Sequence, residues 1–278
     1  MGMAEHLLPV NFTFSQSSLQ DYTDCPRRFQ LRYIEQLKWP AVESEPVLDN
    51  ERRQQEGQFF HRLVQQHRIG LPAEKLTPLA STPNLRRWWD NYLSFTFQWD
   101  NAAQYTELSL SAPIGSFRLL AKFDLVAVTD SKAIIYDWKT SARHPRAEWM
   151  AARMQTRVYR SLLVQAGAHL NSGRRFEPEQ VEMVYWYADY PEEPARFAYN
   201  TAQFKRDWDG LNALIHEIAN HRVFPLTDEE KKCAYCPYRS YCNRGVEAGR
   251  GEEIESEFSE PEINFEQIQE IAFSCFLH

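Results

Sequence analysis

The chain has 278 residues, 43% hydrophobic and 25% charged, enough for one generous core or a core with appendages. No apolar run reaches the ~18 residues of a membrane span, and the first eleven residues lack the build of a secretory signal. We therefore expect a cytoplasmic protein without membrane attachment, in which five cysteines serve metal or redox chemistry before disulfides. Of the net charge of −7, the stretch 246–278 carries −8 through nine Glu and one Arg, which leaves residues 1–245 at +1. An overall acidic balance thus excludes no nucleic-acid partner for the body.

Residues 15–34 read as helical, with Ser17 and Gln20 spaced like a capping box. Pro26 suits the first turn of a second helix rather than the interior of the first. A loop is expected over 39–49, where two prolines and three acids cluster. The next helix covers 51–69 and buries Phe60, Leu63, Val64 and His67. His61 sits at the edge of that stripe, four residues after Gly57, and by itself reads as a boundary histidine. A proline-rich linker over 71–83 precedes a helix over 84–98, whose Trp88, Trp89, Tyr92 and Phe95 have core spacing.

A meander follows: a strand over 107–112, a turn at 113–115, a long strand over 117–128, a turn at 129–131 and a strand over 132–138. The hairpin sets Asp124 beside Asp137 on neighbouring antiparallel strands. A carboxylate inside an apolar strand is costly unless paired or bound to a cation, and a cation shared with Asp137 would explain Asp124. Asp137 and Lys139, two apart, face the same way and Trp138 the other. Carboxylate and ammonium together suit a divalent cation and an anion at one place.

A helix over 147–164 presents Gln155 and Tyr159 on one face. A strand over 181–188, a Pro/Glu loop and a helix over 201–221 complete the body. The order of elements is α/β, with a mixed sheet carrying its site at one edge. Basic clusters at Arg27, Arg28 and Arg32, at Arg143, His144 and Arg146, and at Arg153, Arg157 and Arg160 are available for phosphates.

Cys233, Cys236 and Cys242 form C-x2-C-x5-C, one thiolate short of a tetrahedral set. Cys25 is the leading fourth; its competitor Cys275 lies in an apolar Phe-Ser-Cys-Phe-Leu end, where a buried free thiol is ordinary. Prolines follow Cys25 and Cys236, as they do some iron–sulfur ligands. Spacing alone leaves zinc and iron–sulfur open.

With these motifs in hand, the chain resembles RecB-like nucleases of the PD-(D/E)XK superfamily, in their iron–sulfur branch. That branch includes CRISPR-associated RecB-like exonucleases and the nuclease domains of bacterial helicase–nuclease repair complexes. The likeness covers 15–243 and rests on Gly57-x-x-x-His61, Asp124, Asp137-Trp138-Lys139, Gln155-x-x-x-Tyr159 and the four cysteines. It implies a restriction-endonuclease-like core, a central mixed sheet flanked by helices, with N- and C-terminal segments joined by a metal cluster. The nuclease domain would be 1–245, followed by an acidic tail over 246–278 that ends in a short amphipathic stretch.

The resemblance further implies Mg²⁺ or Mn²⁺ on His61, Asp124, Asp137 and the Trp138 carbonyl. Lys139 would serve the attacking water and the phosphate, with Gln155 and Tyr159 positioning the site or the strand. Cys25, Cys233, Cys236 and Cys242 would hold a structural [4Fe–4S] cluster, with Zn²⁺ as the alternative. Arg143, Arg153 and Arg157 would guide DNA. The implied activity is a DNA exonuclease acting on single strands or ends, in repair, recombination or CRISPR adaptation. A catalytically silent iron–sulfur scaffold or helicase-complex subunit is the alternative, and a small redox protein ranks last because nothing resembles a flavin or dinucleotide site. Two features depart from the pattern: Ala121 stands where a glycine often precedes the motif aspartate, and no G-x-x-x-x-G-K-[ST] loop is present, so any motor, helicase or CRISPR-adaptation protein would be a separate partner.

Overall fold

The computed structural model describes residues 7–9, 11–38, 45–95, 102–141, 144–234 and 236–245, apart from the side chains of 45–51. Arg143, Cys275 and the whole acidic tail lie outside the described residues. Six strands form one mixed sheet. They are β1 (Thr13–Ser15), β2 (Ala103–Ile114), β3 (Phe117–Val128), β4 (Ala133–Lys139), β5 (Val181–Tyr187) and β6 (Tyr190–Ala198). β3 pairs with β1 in parallel and with β2 and β4 antiparallel; β4 pairs with β5 in parallel, and β5 with β6 antiparallel.

Helices cover both faces, as the α/β reading requires. Strand alternation divides β4 cleanly. Ala133 and Ile135 enter one core with α7 (Met154–Ala166) and α8 (Thr201–Asn220), whereas Ile134, Tyr136 and Trp138 enter a second. That second core belongs to α3 (Glu45–Arg68) and α5 (Pro83–Ser94), through Phe60, Leu63, Trp88, Trp89 and Tyr92. The aromatic stripe of α5 is therefore core. No helix among the described residues is long and apolar enough to cross a membrane.

Several sequence expectations shift. β1 runs straight into α1 (Gln16–Asp24), so the capping box is Ser15 with Ser18 rather than Ser17 with Gln20. Pro26 does open a separate short helix, α2 (Pro26–Phe29). α3 already runs at Glu45, inside the expected loop, and residues 39–44 lie outside the description. The 71–83 linker contains a short helix, α4 (Ala73–Leu76), and a 3-10 turn. β2 continues through Pro113, and the turn falls on Gly115, whose φ of +56° suits glycine. The Pro/Glu loop is strand β6, where Pro191 and Pro194 are tolerated because the strand is at the sheet's edge.

The expected 147–164 helix is two helices. α6 (Ala147–Ala152) ends at Arg153, whose ψ of 147° is extended, and α7 begins at Met154. The amide of Met154 donates to Gln20 Oε1 at 3.3 Å, while the Met150 carbonyl accepts the Thr156 hydroxyl at 2.5 Å. Side chains thus take over groups that a continuous helix would have paired with each other.

Candidate active site

The site lies at the C-terminal end of β4, a strand flanked on both sides, and not at a lateral edge of the sheet. Asp137 follows the last hydrogen-bonded pair of β3 and β4, Leu125 with Tyr136, so it lies level with Asp124. Asp137 is 3% exposed, and a buried carboxylate requires donors. Gln155 Nε2 donates to its Oδ1 at 2.8 Å, and Lys139 Nζ lies 2.9 Å from its Oδ2. Lys139 Nζ also donates to Gln155 Oε1 at 3.0 Å. One side-chain amide therefore ties the carboxylate to the ammonium, and the break after α6 sets its position at the start of α7.

Asp124 is satisfied by the neighbouring strand β4 and by α3. Its Oδ2 accepts the Trp138 amide at 2.9 Å, and its Oδ1 lies 3.3 Å from His61 Nδ1. All four carboxylate oxygens of the pair thus carry a donor or a cation. Burial opposes a charge on His61, but Asp124 and then Asp137 outweigh it and hold the imidazole up to about 9. Burial likewise opposes the Asp124 charge, yet His61, the Trp138 amide and Lys139 hold its carboxyl below the usual range. The centre sets two carboxylates against the Lys139 ammonium and an imidazole held toward its charged form, whose proton would leave if the ring bound a cation.

Position 61 is set by one face of α3. Arg53, Gly57 and His61 are spaced four apart, and Arg53 donates from Nη2 to the Thr140 carbonyl at 3.0 Å and to Asp189 at 3.2 Å. Asp189 also accepts from Arg87 and from the Trp88 indole. This carboxylate holds α3 and α5 over the end of β4, a role the sequence did not signal.

Tyr159 is buried and does not line an open surface: its hydroxyl donates to the Lys122 carbonyl at 2.7 Å, fixing β3 two residues before Asp124. Glu107 was also missed. It faces the Asp124 level between the pairs Thr106–Leu125 and Leu108–Phe123, has φ of +52°, and pairs with Lys122. Phe123 and Val126, three apart, enter the same core, so β3 switches faces at this level. A positive φ at a glutamate on this level of the strand is a local conformational cost. The sequence carries no glycine or asparagine there to mark it.

The expected DNA contacts separate. Arg157 is committed to Asp207 of α8 at 3.1 Å. Arg153 lies with its guanidinium carbon 4.6 Å from the centre of the Trp149 ring. Of the first basic cluster, Arg28 is buried between Asp21 and Asp24, at 2.8 Å from each. Arg160 is also buried, bonded to the Thr156 and Ala198 carbonyls.

Cys25 ends α1, and the Cys233–Cys242 segment packs against the same corner. The Arg27 amide donates to the Pro225 carbonyl at 3.0 Å and the Tyr238 hydroxyl to the Leu37 carbonyl at 2.9 Å. Burial raises the Cys236 thiol to about 11; the Tyr238 amide and Arg28 oppose this, and Cys25 and Cys242 add to it. Cys233 and Cys242 are raised by burial first and by Cys25 second. The four sulfurs are electrostatic neighbours. As they stand, no three His, Cys, Asp or Glu side chains among the described residues are arranged to hold a metal ion. The chemistry of the donors nevertheless fits: carboxylates with an imidazole suit a hard divalent ion, and four thiols suit iron or zinc.

Two solved structures are similar over most of the chain. One is described as the crystal structure of SSO0001, with 15% identity, a TM-score of 0.41, and 87% of this chain and 88% of that one covered. The other, from Eubacterium rectale, is described as a "Putative exonuclease", with 10% identity, a TM-score of 0.45, and 77% and 84% covered. No curated protein matches the chain in sequence. The family model of the PD-(D/E)XK nuclease superfamily matches residues 13–243, most of the chain, and the protein belongs to that superfamily.

Proposed function

We propose that this member of the superfamily is a metal-dependent deoxyribonuclease that digests DNA from ends or along single strands. The observation that carries the reading is the Gln155 amide joined to both Asp137 and Lys139, with Asp124 and His61 paired alongside. A buried carboxylate and an ammonium held in one fixed relation are what phosphodiester hydrolysis needs from a protein. His61, Asp124, Asp137 and the Trp138 carbonyl would hold Mg²⁺ or Mn²⁺. Such an ion, when bound, supplies Lewis acidity toward a phosphoryl oxygen and lowers the pKa of a water.

The chain's own groups do the rest. Lys139 offers its ammonium to the negative charge that grows on the scissile phosphate. Gln155 keeps that ammonium and Asp137 in register through the reaction. Tyr159 acts one step back, through the Lys122 carbonyl, by fixing the strand that bears Asp124. Burial of Asp137 keeps these charges in a medium where they act strongly.

We assign Cys25, Cys233, Cys236 and Cys242 to a structural [4Fe–4S] cluster, with Zn²⁺ as the competing occupant. The three-plus-one spacing and the mutual influence of the sulfurs support it. If this nuclease works with a motor or a CRISPR-adaptation protein, that partner is a separate chain. The test is digestion of end-labelled linear single- and double-stranded DNA with Mg²⁺ or Mn²⁺, beside a covalently closed duplex circle. Linear DNA should be consumed and the circle should persist. Rapid cutting of the circle with no preference for single strands would contradict the reading.

A further inference from the structure

Trp149 is the one tryptophan among the described residues that stands exposed, at 39%. Leaving an indole in water forfeits the burial that large aromatics otherwise gain. Arg153 covers one ring face, with its guanidinium carbon 4.6 Å from the ring centre. This pair is not needed to hold the break between α6 and α7. The Met154 amide on Gln20 and the Thr156 hydroxyl on Met150 already do that.

The position of the pair relative to the site is fixed by a short chain of contacts. Met150, next to Trp149, accepts from the Thr156 hydroxyl, which meets the Tyr185 hydroxyl at 2.7 Å. Lys139 Nζ lies 5.4 Å from the centre of the Tyr185 ring. Arg153 is two residues from Gln155 and acts electrostatically on Tyr185. His144 and Arg146, both exposed, precede α6. Trp149 and Arg153 thus stand on the same α6–α7 segment that brings Gln155 to Lys139, with exposed His144 and Arg146 and one acid, Glu148, beside them.

We propose that Trp149, backed by Arg153, is a stacking platform for one unpaired base of the strand that enters the site. The inference rests on the nuclease reading and adds a residue that selects unpaired substrate. Every base offers a π-face, so the platform is indifferent to sequence, while a base-paired duplex buries that face. The guanidinium polarises the indole and meets the phosphate beside the stacked base.

The test reads binding apart from cleavage. Anisotropy of a fluorescein-labelled single-stranded deoxyoligonucleotide is measured in EDTA, with the same sequence as duplex for comparison. Trp149→Ala should weaken single-strand binding by roughly tenfold or more, as loss of one base stack does, and leave duplex binding unchanged. Trp149→Phe should retain most of the affinity. In the intact protein, an abasic site walked along the oligonucleotide should reproduce the loss at one position, and at that position cost Trp149→Ala nothing further. With Mg²⁺, Trp149→Ala should raise KM more than it lowers kcat. A flat abasic walk on the intact protein, or wild-type affinity in Trp149→Ala while DNA is still digested, overturns the platform alone. An intact protein that neither binds nor cuts DNA overturns the nuclease reading together with it.

Discussion

A methyl group placed on Gly57 would lie 2.8 Å from Thr140 Oγ1, closer than such carbons approach. Helix α3 therefore crosses the end of β4 so closely that a larger residue at position 57 requires Thr140 to shift. Arg53 one turn before and His61 one turn after use that closeness, the first on the Thr140 carbonyl and the second on Asp124. Gly57→Ala should move Thr140 or lift the helix, and lower DNA cleavage by roughly tenfold, less than the ~100-fold that a 1 Å misplacement can cost. The same substitution combined with Thr140→Ala, which removes the clashing oxygen, should recover most of the activity. Digestion rates of the two variants and the double variant check this; equal rates for Gly57→Ala and the double variant would refute the contact as the cause.

Lys139→Ala should lose cleavage by about a hundredfold or more, the scale of removing one electrostatic stabiliser. It should still fold and should keep Mn²⁺ binding, because its ammonium competes for Asp137. Asp137→Ala should lose Mn²⁺. Calorimetric Mn²⁺ titration beside a cleavage assay separates the two, and equal cutting by wild type and Lys139→Ala would remove Lys139 from the chemistry.

Gln155→Ala removes a donor from a carboxylate that is almost fully buried. A loss of about 1–3 kcal/mol of stability is expected, together with slower cleavage at unchanged DNA affinity. Urea unfolding of the metal-free protein measures the first and single-turnover digestion the second. Wild-type stability in the variant would mean that water replaces the amide fully.

Protein purified without oxygen should be brown and carry about four irons per chain. Cys25→Ser should lose the colour and loosen the corner between α1 and the Cys233–Cys242 segment. Colourless protein with one tightly held zinc would instead assign the site to Zn²⁺. Cys275→Ser should leave the metal content unchanged.

His67 supplies a pH dependence remote from the site. Its Nδ1 lies 2.9 Å from the Tyr92 hydroxyl of α5, with Arg68 beside it and Glu74 of α4 nearby. Burial first and Arg68 second hold its pKa below the usual 6.5, and Glu74 only partly opposes them. The folded state thus favours the neutral ring. The stability it contributes is full above about pH 6.5 and is lost as pH falls through the lower folded value. Between about pH 7 and pH 5, wild type should lose melting temperature relative to His67→Gln, which keeps a hydrogen-bonding group but does not titrate. Parallel melting curves of the two proteins would contradict this.

The faces of the central hairpin were legible in the sequence because a strand's period is two. That period alone set Asp137 and Lys139 on one side and Trp138 on the other, and the turn at 129–131 set Asp124 beside Asp137. Helical spacing likewise marked Trp88, Trp89 and Tyr92 as core, and the missing amide of Pro26 marked a helix start. These are properties of neighbours along the chain, which short-range sterics and burial determine.

What the tertiary structure decided depends on groups far apart in sequence. The break at Arg153 exists because Gln20, over a hundred residues earlier, takes the Met154 amide. Pro191 and Pro194 lie in a strand because the fold places that strand at an edge, where a missing donor costs no ladder bond. Arg157 looked available for DNA, but the helix packed opposite brings Asp207 to it. Asp189 and Glu107 carried no local signal, and each acquires its meaning from what the folded chain sets against it. The sequence by itself determined which residues face together; only packing decided which charges meet, because a charge's partner is chosen across space and not along the chain.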